Sequence, residues 1–159
     1  MDPGFMNSFL TPMHKIDTNI YLGGLMAANN VRLLTDSGIT SIVQVLSKNT
    51  PMTKHPGMKY HSIDIDDMPR ADIAQHVPEA IKFIDRELMC GKTVLIHCAA
   101  GISRSTSIAV AYFMVKYGLG FDEALARVRR GRGCACPNQG FEQQLRNLNV
   151  AALRPYINS

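Results

Sequence analysis

The stretch "TVLIHCAAGISRSTSIAVAYFMV", residues 93–115, constrains the fold of this chain more than any other. Its first part, "TVLIH" (93–97), is an unbroken apolar run of the kind that a central strand covered on both faces requires. Its last part, Ser105 to Tyr117, is apolar all round and reads as a buried helix. A few small residues join the two. A buried strand that turns sharply into a buried helix needs packed layers on every side, so the chain is expected to fold as a layered α/β domain.

The flanking sequence supplies those layers. "IYLGG" (20–24) reads as a short strand ended by glycines, and "LMAANNVRLLTDSG" as a helix stopped by Gly38. "ITSIVQVL" (39–46) is rich in β-branched residues and reads as a buried strand. "KNTPMTKHPG" is a loop. "MKYHSIDID" (58–66) alternates, with Tyr60, Ser62, Asp64 and Asp66 on one side and His61, Ile63 and Ile65 on the other. "DMPRA" breaks that pattern. Asp72 with Gln75 then forms a capping-box signature, and Ile73, Val77, Ala80, Ile81, Ile84 and Leu88 recur at helical spacing up to Gly91. Beyond Gly118 and Gly120, one helix is marked by Phe121, Ala124, Leu125 and Val128. After the loop "GRGCACPNQG", a last helix is marked by Phe141, Leu145 and Leu148.

Length and composition set outer bounds. A chain of 159 residues suits one domain with a real core. No segment approaches the roughly 20 apolar residues of a membrane span. No basic-then-apolar signal peptide opens the chain, and no glycine follows Met1 or Met6, so neither export nor N-myristoylation is expected. "MDPGF" ahead of Met6 reads as a leader with no structural weight. The 4 cysteines could pair, but without an export signal free thiols in a reducing compartment, the cytoplasm or nucleus, are expected. The formal charge of +4 suits an anionic ligand without selecting one.

The loop between strand and helix carries the chemistry. A helix start offers unpaired N–H groups and a positive dipole end. Ala99, Ala100 and Gly101 let the backbone approach a ligand closely, and Gly101 can adopt positive φ, so several amides can converge on one oxyanion. Cys98 lies at the bottom of that nest, where converging amides and a nearby arginine favour the thiolate, a nucleophile. The planar fork of Arg104 can hold two phosphate oxygens at once. Ser105 can hydrogen-bond the sulfur and steady it as a leaving group. His97 is expected to order the loop from behind. A lone buried cysteine is usually inert and a lone arginine at a helix start usually meets solvent. Together, at this spacing and with a glycine between them, they point to a phosphate site.

"HCAAGISRS" resembles the signature H-C-x-x-G-x-x-R-[ST] of the cysteine-dependent protein tyrosine phosphatase superfamily. "YLGG", the Asp-bearing loop after "HSIDI", "AIKFID" and "PNQGFEQQL" resemble the small, atypical dual-specificity phosphatases over residues 14–150. The resemblance implies a central mixed, largely parallel sheet of about five strands flanked by helices, with the phosphate loop between a central strand and a buried helix. It implies a catalytic domain at 14–150, with a leader and N-terminal extension at 1–13 and a tail at 151–159. Phosphate would be held by Ala99, Ala100, Gly101, Ile102, Ser103 and Arg104, with no metal or cofactor. Asn138 resembles a family asparagine that supports the loop, although an ordinary turn asparagine reads equally well. Arg132 lies near where related enzymes place an arginine for a second substrate anion.

Expulsion of an alkoxide or phenoxide calls for a general acid. Asp64 and Asp66 share one strand face, and Asp72 has a capping role. Asp67 opens the irregular loop and can hang over a neighbouring site. Family spacing also points to Asp67, with Asp66 as the alternative.

The basic run "ARVRRGRG" (126–133) has no interleaved aromatics, so it reads as the solvated end of a helix and no nucleic-acid partner is expected. "CAC" (134–136) is weak as a metal motif. Cys134 or Cys136 could protect an oxidised Cys98 as a disulfide only if the fold brings them close.

Lipid-directed members of the superfamily carry lysines inside the loop, whereas Ala99, Ala100, Ile102 and Ser103 are neutral. A phosphoprotein is therefore the expected partner. The chain offers little before residue 20 for a deep tyrosine-recognition wall, so a shallow cleft admitting phosphoserine and phosphothreonine as well as phosphotyrosine is expected. The alternatives are a phosphatase for inositides, RNA 5′ ends or glycans, and a catalytically dead phosphopeptide-binding module. The presence of Cys98, Arg104 and Asp67 disfavours the last. Nothing in the sequence fixes an oligomeric state.

Overall fold

The computed structural model describes residues 3–157. Its centre is one five-stranded sheet in the order β1-β2-β5-β3-β4. The strands are β1 (Met13–Asp17), β2 (Ile20–Gly23), β3 (Ile39–Leu46), β4 (Lys59–Asp64) and β5 (Thr93–His97). β1 pairs antiparallel with β2, and every other pairing is parallel. The sheet is thus mixed and largely parallel, as expected.

Period-two alternation divides the core between the two faces. Ile20 and Leu22, Val43 and Val45, and Val94 and Ile96 all point into the larger cluster. Ile42 and Leu95, from the same strands, point into a smaller one. The larger face is covered by α4 (Val77–Met89), α5 (Arg104–Tyr117), α6 (Phe121–Gly131) and α7 (Gln139–Arg146); the smaller lies under α2 (Leu25–Ala28) and α3 (Val31–Asp36). β5 is therefore buried on both faces, and α5 is buried along Ser105–Val115.

Four segments depart from expectation. "LMAANNVRLLTDSG" forms two helices, because Asn30 interrupts it: its side chain accepts from Leu33 N and starts a new helix. β1, too short and too polar to stand out, closes one edge of the sheet. Residues 3–5, within the leader given no structural weight, open α1 (Pro3–Leu10), which buries none of its residues and is tied down where Ser8 Oγ accepts from Cys134 N. In the segment 151–159, read as a tail, residues 151–157 continue the fold: α8 (Val150–Leu153) and a short 3-10 turn bury Leu153 and Ile157 in the main core. Among the described residues, no helix is long and apolar enough to cross a membrane.

Candidate active site

The C-terminal ends of the parallel strands converge on one edge, where open α/β sheets place their ligands. Ser47 follows β3, Ile65 follows β4 and Cys98 follows β5.

The loop 98–103 is shaped by what its carbonyls do. Ala99 O accepts from Leu25 N at 3.0 Å, Ile102 O from Cys136 N at 2.8 Å and Ser103 O from Ser107 N at 2.9 Å. Ala100 O and Gly101 O accept from Arg132 Nη2 and Nε at 3.3 and 2.9 Å. A planar trans peptide points its N–H away from its C=O. Five consecutive outward carbonyls therefore turn the N–H groups of residues 100–104 to the inner side, a nest for an oxyanion. Gly101 allows this path: its φ is +71°, and a Cβ there would lie 2.6 Å from the Gly23 carbonyl carbon.

Cys98 is 2 % exposed, and its Sγ lies 3.0 Å from Ser105 Oγ. His97 is fully buried behind it, with Nδ1 donating to Cys98 O at 3.2 Å. Burial pushes His97 down to about 4, so the ring is neutral at physiological pH. A histidine held below its ordinary value leaves stability intact above about pH 6.5 and erodes it as pH falls toward the folded value. Urea unfolding should thus show a loss of about 3 kcal/mol between pH 7 and 4, largely abolished in His97→Asn. An unchanged slope in that variant would assign the loss elsewhere.

Arg104 is anchored by one edge. Its Nη1 donates to Ser47 Oγ at 3.2 Å and to Ile65 O at 3.1 Å. Its Nε is buried and has no hydrogen-bond partner among the described residues. The fork is thereby fixed while a donor stays available for an anion.

Asp67 is exposed, and its Oδ1 accepts from Asn138 Nδ2 at 3.0 Å. Asn138 also donates its N–H to Ser103 Oγ at 2.9 Å and caps α7 through Phe141 N at 2.8 Å. It thus joins the Asp67 loop, the phosphate loop and α7. Gln144 Oε1 accepts from Ile73 N and Ala74 N at 2.9 and 3.0 Å, and its Nε2 donates to Ala71 O at 2.8 Å. Asp72, as expected, accepts from Gln75 N. Asp66 is also exposed. Gly140 lies so close to Pro69 that a Cβ would collide with the Pro69 carbonyl. Gly140→Ala should therefore part α7 from this loop and cost about 1–3 kcal/mol. Chemical denaturation checks this; unchanged stability would mean that the contact is slack.

One expectation changes: Arg132, expected near a second substrate anion, is 1 % exposed and gives its guanidinium to the protein. Besides the loop carbonyls, its Nη1 donates to Thr11 O and His14 Nδ1, both at 2.9 Å. Beside the loop, Phe9, Leu10, Thr11 and Pro12 face Leu25, Met26, Ala99, Ala100 and Arg132 across a hollow of about 200 Å³.

The rest of the basic run is mixed: Arg129 and Arg130 are exposed, as expected of a solvated helix end, and Arg127 is half-buried. Arg127 pairs with Asp17 and stacks over Phe113 and Tyr117, and Arg129 Nε bonds Ala135 O. Cys90, Cys98, Cys134 and Cys136 are free thiols. Among the described residues, no group of three or more His, Cys, Asp or Glu side chains gathers as a metal site.

The family model "Dual specificity phosphatase, catalytic domain" matches residues 20–151. The chain belongs to the dual specificity phosphatase family. It is 36 % identical over 144 residues to human dual specificity protein phosphatase 22, spanning 91 % of this chain and 77 % of that one. It is 36 % identical to mouse dual specificity protein phosphatase 15, spanning 87 % and 58 %. Among solved structures, DUSP15 superposes with a TM-score of 0.84 at 34 % identity, covering 90 % and 92 % of the two chains. Human tyrosine phosphatase-like serine/threonine/tyrosine-interacting protein superposes at 0.83 with 33 % identity, covering 89 % and 97 %. This dual specificity phosphatase is thus a hydrolase of the protein tyrosine phosphatase type.

Sequence reasoning missed Ser47, the Ile65 carbonyl and Gln144. The first two sit just past strand ends, with no local signal. Gln144 had one: it lies three residues after Phe141 and just before Leu145, beside the apolar stripe of its helix, where an uncharged polar residue needs a buried partner.

Proposed function

We propose that this dual specificity phosphatase hydrolyses phosphotyrosine, phosphoserine and phosphothreonine in proteins through a cysteinyl-phosphate at Cys98. The observation that carries this is the position of Cys98 Sγ, buried at the mouth of five inward-facing amides and 3.0 Å from Ser105 Oγ.

The phosphoryl oxygens rest on the N–H groups of residues 100–104 and on Arg104, which stabilise charge as it shifts. Cys98 thiolate attacks phosphorus in line. An S–P bond forms as the P–O bond to the leaving group breaks, and Asp67 gives its proton to the departing oxygen. A water then attacks phosphorus, losing its proton to the Asp67 carboxylate, and the S–P bond breaks. Inorganic phosphate leaves, and Ser105 Oγ donates to the returning thiolate. Asp67 is preferred to Asp66 because Asn138 ties it to the phosphate loop.

The neutral loop supports a phosphoprotein over an inositide, since no lysine stands at residues 99–103. The exposed side chains of Phe9, Leu10 and Met26, beside Ala99 and Ala100, offer an apolar surface to a phosphotyrosine ring. Four free thiols suit a reducing compartment, the cytoplasm or nucleus.

The experiment is a panel of phosphotyrosine, phosphoserine and phosphothreonine peptides, a phosphoinositide and a 5′-phosphorylated RNA, with Cys98→Ser as control. Turnover of phosphopeptides by the wild type alone supports the reading. Turnover of the inositide or RNA but no peptide would refute it.

A further inference from the structure

We propose that Arg132 is a positioning residue for phosphate transfer: buried beneath the loop, its guanidinium turns two peptide groups so that the Gly101 and Ile102 amides face the phosphate. This rests on residues 98–104 being the phosphate cradle.

Of the five outward carbonyls, three are held by backbone N–H groups, from Leu25, Cys136 and Ser107. Among the described residues, the two central ones, Ala100 O and Gly101 O, have no backbone donor, and Arg132 fills that gap, with Nη2 on the first and Nε on the second. These carbonyls belong to the peptides whose N–H groups are those of Gly101 and Ile102. Gly101 has positive φ, and a donor behind it holds these two peptides in that path. A planar fork suits the task, because one edge reaches two adjacent carbonyls; an ammonium is a single point.

The arginine is itself fixed. Its Nη1 is held by Thr11 O and His14 Nδ1. His14 must be neutral at Nδ1 to accept, and burial together with the Arg132 charge lowers its proton affinity. Space is full: a Cβ at Gly101 would sit 2.9 Å from Arg132 Nη2. The segment 11–14 lies before the matched family region, which begins at residue 20, and is joined to the phosphate loop by this side chain.

The test compares wild type, Cys98→Ser, Arg132→Met and Arg132→Lys. Thermal unfolding reports folding. Inorganic phosphate is the probe, read by calorimetry and by the amide shifts of Gly101 and Ile102. Deleting an oxyanion donor outright costs roughly 10²–10³ in turnover, so loosening two is expected to weaken phosphate binding about tenfold in a folded Arg132→Met. The phosphate-induced shifts of those two amides should shrink. Arg132→Lys should recover part of the loss. Wild-type affinity and shifts in Arg132→Met would overturn the proposal. Should that variant fail to fold, wild-type behaviour of Arg132→Lys would overturn it instead. Cys98→Ser keeps Arg132 and is expected to bind phosphate at least as well as wild type. Absence of binding there would remove the cradle itself, and with it this role.

Discussion

Arg104→Lys should lower kcat/KM by about a thousandfold on every phosphate ester, fast-leaving aryl phosphates included. The reason is geometric. Nη1 is already committed to Ser47 Oγ and Ile65 O, which leaves the Nε edge of a rigid plane for the phosphoryl group. Lysine keeps the charge but has one nitrogen. It can stay with the Ile65 carbonyl or move to the phosphate, and it cannot do both. Because the arginine meets charge that moves during transfer, the loss should fall on kcat as well as on KM. Steady-state kinetics with a stopped assay checks this. A loss below tenfold would mean that the loop amides carry the charge without it.

Asp67→Asn should slow poor leaving groups by about 10²–10⁴ and barely touch a nitrophenolate-type leaving group, which departs without a proton. Asparagine is a clean probe here. Its Oδ1 can still accept from Asn138 Nδ2, so the loop keeps its anchor and only the proton is lost. Asn138→Ala removes the anchor and keeps the proton. It should give a smaller loss with the same dependence on leaving group. A flat dependence in Asp67→Asn, or the full effect in Asp66→Asn instead, would move the acid role.

The fold was legible where periodicity was long. β3 spans Ile39–Leu46, and the buried helix starts at Arg104 beside the expected Ser105. It was illegible where an element is short, as in α1, tied to a residue 126 positions away through Ser8, and in β1, five residues with only Met13 and Ile16 buried. The site divides in the same way. Cys98, Arg104 and Ser105 lie within one contiguous signature, and the loop needed only that signature to be recognised. Asp67 was chosen by spacing and Asn138 by its resemblance, because their contact spans 71 positions. Arg132 was misread for a physical reason. An arginine in a basic run looks solvated, and sequence cannot show that two carbonyls over it lack any other donor.

The most direct measurement is capture of the covalent intermediate. Wild-type protein mixed with a phosphotyrosine peptide, quenched by rapid denaturation and digested, should yield a phosphate adduct on the peptide containing Cys98 and on no other. Cys98→Ser should yield neither adduct nor product. Turnover by wild type with no adduct at any quench time, an adduct on Cys134 or Cys136, or wild-type turnover by Cys98→Ser would contradict the assignment of Cys98 as the nucleophile.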